Sequence, residues 1–116
     1  MDLGDAIAEH IQRTFRVIED DQVAATLRRV AENVVRQVQP TNIRFRFFLV
    51  DMPITNAFGL PGGRIYITRK IVALLRSEDE LAGLLAHEMG HIVTRQTARD
   101  MSRVFQRVLG VNQVGD

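Results

Sequence analysis

Cysteine is absent from the 116 residues, which excludes disulfides and thiolate metal sites. Lysine is nearly absent: Lys70 stands alone beside fourteen arginines, a choice that reads as genomic bias and not as mechanism. No apolar run approaches the roughly twenty residues that span a bilayer. The opening Met-Asp-Leu-Gly-Asp has no basic segment followed by an apolar one, so no signal peptide is read there. The chain is then cytoplasmic, or its export signal has been removed. The formal net charge is only +1, too little to draw in nucleic acid or an anionic membrane through a global field. Repeats, low-complexity tracts and domain linkers are missing as well.

What is present is globular in character: 46% hydrophobic and 25% charged residues. The length suits a single domain over 1–116, with a small core and marginal stability. Ile7, Ile11, Phe15 and Ile18 form a helical stripe within 3–19. Glu19-Asp20-Asp21 interrupts it and can cap a second helix, which Val23, Leu27, Val30, Val34 and Val38 carry to about Gln39 before Pro40 stops it. From Ile43 to Val50 the pattern has period two, a strand with Ile43, Phe45, Phe47 and Leu49 on its buried face. Asn56-Ala57-Phe58 and Arg64 to Ile67 read as short strands joined by the glycine-rich Gly59–Gly63 turn. Thr68 can cap a short helix containing Ile71, Val72, Leu74 and Leu75. Ser77-Glu78-Asp79-Glu80 is a capping box that starts a long helix, since no glycine or proline interrupts 92–109. The fold class is α+β: two N-terminal helices, a short three-stranded sheet and a long motif helix.

That last helix contains His87-Glu88-Met89-Gly90-His91. Histidines four apart lie one turn apart on one face, so two imidazoles can converge on one metal ion. Zinc accepts nitrogen ligands tetrahedrally and lowers the pKa of a bound water, leaving a neighbouring carboxylate to act as general base and then acid at a peptide carbonyl. His87 and His91 are therefore the candidate ligands and Glu88 the candidate catalytic base. On a helical wheel Leu81, Leu84, Leu85, Glu88 and Ile92 share one sector, with the histidines on its flank. A carboxylate on an apolar face needs a partner. The bland alternative is chance, since only three positions of the motif are fixed. The capped helical context and the uncharged Met89, Gly90 and Ile92 favour the metal.

Other features read blandly. His10 is a lone histidine of the first helix, better explained by packing or surface exposure than by ligation. Arg95, Arg99, Arg103 and Arg107 recur every four residues, a solvated face opposite Met101, Val104, Phe105 and Val108, with positive charge favoured towards a helix C-terminus. Phe45 and Phe47 alternate with arginine but are read as core and not as a base-stacking platform.

Taken together, Asn56–Gly63, Ile65-Tyr66-Ile67-Thr68-Arg69, Ser77–Ala82 and His87–His91 resemble the HtpX/BepA/Oma-type gluzincin zinc peptidases, most strongly over 43–99. The resemblance implies a zincin-like metalloendopeptidase acting on polypeptides, with His87 and His91 on zinc, Glu88 as base, and Asn56, Ala57 and Phe58 in a strand that aligns substrate. By analogy it also implies a periplasmic or cell-envelope setting and a part in protein quality control.

The resemblance also implies a third ligand, a glutamate on a later helix, and this sequence has no glutamate after Glu88. The downstream carboxylates are Asp100 and Asp116. On a continuous helix Asp100 falls about 180° from His91. Thr97 stands where a metzincin would have its third histidine, and Gln96 where relatives often have histidine. The expectation is a chain truncated before the third ligand, with weak zinc binding, impaired catalysis and exposed apolar surface that favours an oligomer or domain swap. A latent peptidase completed by assembly, or a metal-free binding module on the same fold, are the rivals.

Overall fold

The structure, a computed structural model, describes residues 3–19, 21–38 and 42–109. Helix α1 (Leu3–Thr14) leads into a two-residue strand β1 (Val17–Ile18), then helix α2 (Gln22–Gln37). Strands β2 (Arg46–Val50), β3 (Ala57–Gly59) and β4 (Arg64–Thr68) follow, and helices α3 (Arg69–Leu74) and α4 (Glu78–Leu109) complete the order. The α+β class read from sequence holds. The sheet has four strands and not three, in the order β1-β2-β4-β3. The added strand comes from Val17-Ile18, which pairs antiparallel with Val50 and Leu49. Its two residues sit at the end of an amphipathic stripe, so periodicity assigned them to the first helix. The stop expected at Gln39-Pro40 lies outside the described residues.

Caps set the helix starts. Asp21 accepts from the Ala24 N–H at 2.9 Å and opens α2. Thr68 Oγ1 accepts from the Ile71 N–H at 3.3 Å and opens α3. Ser77 Oγ accepts from the Glu80 N–H at 3.2 Å, one arm of the expected capping box. The other arm differs: the Glu80 carboxylate takes the Arg76 N–H at 2.6 Å. Arg29 of α2 then grips Glu78 of α4 through two hydrogen bonds, 2.7 and 2.6 Å, at the same helix end.

β2 runs parallel to β4, and β3 pairs antiparallel with β4 as the outermost strand. Because side chains alternate, the sheet presents two apolar faces. Leu49, Ile65, Ile67 and Ala57 pack against Leu27, Val30 and Ala31 of α2 and Leu81, Leu85, Met89 and Ile92 of α4. The opposite face is also closed: Val50 and Tyr66 lie under Ala8 and Ile11 of α1. Tyr66 there stacks between Phe48 and Phe58, with ring centroids 5.0 and 5.5 Å away. Asp5 of α1 ties that cover to Arg64 of β4 at 2.6 Å.

The far half of α4 leaves this body. The radius of gyration is 16.0 Å, whereas compact packing of a chain this long gives about 13 Å. Beyond Ile92, Met101, Val104 and Val108 are more than half exposed, in keeping with the open apolar surface expected on this helix, and the four arginines share that exposure.

Candidate metal centre

The burial of α4 decides what its motif presents. Leu81, Leu85, Met89 and Ile92 turn into the core, all nearly inaccessible. The buried stripe is therefore centred on Leu85 and includes Met89, one position round from the sector expected from sequence. Glu88 stands half-buried at the edge of that stripe, and His87 and His91 lie exposed one step further round. Met89 anchors the motif turn in the core, so the three polar residues between and beside it emerge at a fixed angle.

The two imidazoles converge. Their Nε2 atoms are 3.0 Å apart, their ring centroids 4.4 Å apart, and their planes meet at 82°. Two nitrogens sharing a tetrahedral zinc at about 2.0–2.1 Å would stand about 3.3 Å apart. The observed spacing is within a small side-chain adjustment of that value, and both rings face solvent. A single N–H···N hydrogen bond would also suit the distance. The donor set is the right type for a divalent transition metal: two neutral-capable imidazoles with a carboxylate adjacent in sequence.

Among the described residues no third ligand joins them. Among the described residues no group of three histidine, cysteine, aspartate or glutamate side chains is arranged to hold an ion. Asp100 is engaged elsewhere, accepting from Gln96 at 3.1 Å and lying 3.9 Å from Arg103. His10 is exposed on α1.

Asn56, Ala57 and Phe58 sit at the sheet's outer edge. Ala57 and Phe58 belong to β3, which among the described residues pairs with β4 alone. Asn56 braces the start of that strand: its side chain accepts from the Ala57 N–H at 2.9 Å, its own N–H donates to Thr68 Oγ1 at 3.0 Å, and its carbonyl accepts from the Thr68 N–H at 3.0 Å. β3 meets the motif helix directly. At Gly59 a Cβ would stand 2.7 Å from Ile92 Cδ1, so the edge strand is seated against the residue after His91. Sequence reading took Gly59 for a turn glycine; its distinguishing role is this close approach, which needs the tertiary contact to be seen.

Comparison with known proteins accords with this arrangement. A model of peptidase family M48 matches residues 19–115. The beta-barrel assembly-enhancing protease of Yersinia pestis is 28% identical over 115 residues, 99% of this chain and 24% of the relative. The mitochondrial metalloendopeptidase OMA1 of Schizosaccharomyces pombe is 31% identical over 74 residues, 64% of this chain and 22% of the relative. The beta-barrel assembly-enhancing protease of Escherichia coli K12 is 26% identical over 101 residues, 87% of this chain and 21% of the relative. The chain spans about a quarter of the length of these curated relatives. Because the family match takes in both the motif helix and the sheet that seats it, the chain belongs to peptidase family M48.

Proposed function

We propose that the protein is a zinc-dependent metalloendopeptidase and that this chain carries its motif helix and substrate-edge strand. The observation that supports it most is the pair of Nε2 atoms 3.0 Å apart on a solvent-open face, with Glu88 half-buried beside them. His87 and His91 would hold the ion. When bound, zinc supplies Lewis acidity and an acidified water in its open position. Glu88 would accept a proton on that face and return it to the leaving amine. Its partial burial limits its rotamers, and Met89 and Leu85 keep its helix turn from rolling. β3 offers an unpaired strand edge to an extended polypeptide, with Asn56, Ala57 and Phe58 contributing.

Two histidines alone hold zinc weakly, so a full site needs another donor, from further chain or a second molecule. The exposed Met101, Val104 and Val108 suit self-association or a domain swap of the long helix. The Yersinia pestis and Escherichia coli relatives are named as proteases that enhance beta-barrel assembly; a periplasmic or envelope setting and a part in protein quality control are this reading's family analogy. Among the described residues no helix is long and apolar enough to cross a membrane.

The test is Glu88→Gln in the full-length protein. Proteolysis of casein should vanish while bound zinc is retained. Undiminished turnover would reject the assigned base; loss of zinc together with activity would make Glu88 a ligand instead.

A further inference from the structure

The sheet has a second open edge, on the side away from β3. The ladder between β1 and β2 ends at the Ile18–Leu49 pair. Asp51 donates its N–H to the Arg16 carbonyl at 3.0 Å, so Asp51 and Leu49 direct their backbone groups outward. Arg46 donates to the Gly63 carbonyl at 2.9 Å and so directs its own inward, to β4. By the same alternation Phe45 and Phe47 turn their N–H and C=O groups outward, past the end of β1. Among the described residues these groups have no hydrogen-bond partner.

Beside this edge lies an open groove of about 460 Å³ between β2 and α2. Its floor is apolar: Ala31 and Val35 from the helix, and the half-buried rings of Phe45 and Phe47 from the strand. Its rim carries Arg28 and Arg36 against one acid, Glu32, while the Arg46 side chain turns to the opposite sheet face, toward Asp5. Arg28 donates to the Glu19 carbonyl at 3.0 Å and Arg36 to the Asn33 side chain, both neutral acceptors. Among the described residues neither arginine has a carboxylate within ion-pair reach. In a chain of net charge +1, two arginines against one glutamate leave this groove locally positive.

We propose that this edge is a docking site for an extended, acidic polypeptide segment of a partner protein, which adds to β2 beyond the end of β1. Backbone pairing with Phe45 and Phe47 supplies affinity, alternate apolar side chains enter the groove, and carboxylates on the segment meet Arg28 and Arg36. The site is distinct from the strand edge at β3, so it does not depend on the peptidase reading.

The experiment is amide hydrogen exchange on the 116-residue chain, with a short synthetic peptide alternating valine and glutamate as the probe. Exchange should slow at Phe45 and Phe47, and binding should weaken with sodium chloride. The Arg28→Glu/Arg36→Glu variant, checked for folding by circular dichroism, should bind about tenfold or more weakly. The same peptide N-methylated at alternate residues, tested on the unaltered chain, should not bind even if that variant fails to fold. Several results would overturn the proposal: no binding, equal binding of a valine–lysine peptide, undiminished binding of the N-methylated peptide, or protection at Ala57–Gly59 in place of Phe45 and Phe47. Slow exchange at Phe45 and Phe47 in a peptide-free dimer would assign the edge to a second copy and overturn it too.

Discussion

Gly59 of β3 packs against Ile92 of α4 with no room for a side chain: a methyl group on the glycine Cα would lie 2.7 Å from Ile92 Cδ1 and 2.9 Å from Cγ1. The contact seats the edge strand against the motif helix one residue after His91. Gly59→Ala should therefore destabilise the chain by about 1–3 kcal/mol through overpacking. Ile92→Ala removes both clashing atoms but opens a cavity, so the double variant should be more stable than the sum of the single effects predicts. Denaturant melts of the four proteins check this, and strict additivity would mean that the two residues do not touch.

Zinc should bind this chain weakly and through both histidines. Isothermal titration should give low affinity for the unaltered chain and no heat for His87→Ala or His91→Ala. Tight one-to-one binding by a monomer would show that a third donor has been overlooked.

Tyr66 is fully buried between Phe48 and Phe58, and its hydroxyl has no partner among the described residues; Gln12 of α1 lies toward it without closing a hydrogen bond. Burial pushes its pKa up. A buried hydroxyl left unpaired is destabilising, so Tyr66→Phe should gain about 1 kcal/mol and raise Tm. A lowered Tm would reveal a hydrogen bond formed in solution.

Three exposed or half-exposed carboxylates are held below their ordinary pKa. The Ala24 N–H and then Arg69 lower Asp21, Arg29 lowers Glu78, and Arg64 lowers Asp5. A folded pKa below the unfolded one gives stability that is complete above about pH 4–4.5 and lost as pH falls through the folded value. Tm should thus be flat near neutrality and drop in acid. Asp21→Asn keeps a capping side chain but removes the charge facing Arg69, so its Tm should fall at pH 7 and vary less with acid. An unchanged acid profile would remove Asp21 from the account.

Much of the candidate site was legible because it is local. His87 and His91 are four residues apart in a capped helix, and helical geometry alone puts them on one face. The Asp21, Thr68 and Ser77 caps were legible for the same reason: each acts within four residues of its own position. The short strand at Val17-Ile18 was not legible. Its two residues carry no periodicity of their own and gain strand character only by pairing with Leu49 and Val50, some thirty residues on.

By itself, then, the sequence determined the helices with their starts and the spacing of the two imidazoles, with Glu88 beside the first. The tertiary structure decided the rest. It closed the second sheet face with α1, drew Met89 and not Glu88 into the core, seated Gly59 on Ile92, and left Phe45 and Phe47 at an open edge. Each of these depends on contacts between residues far apart in the chain, where packing and strand pairing override the local pattern that a sequence can display.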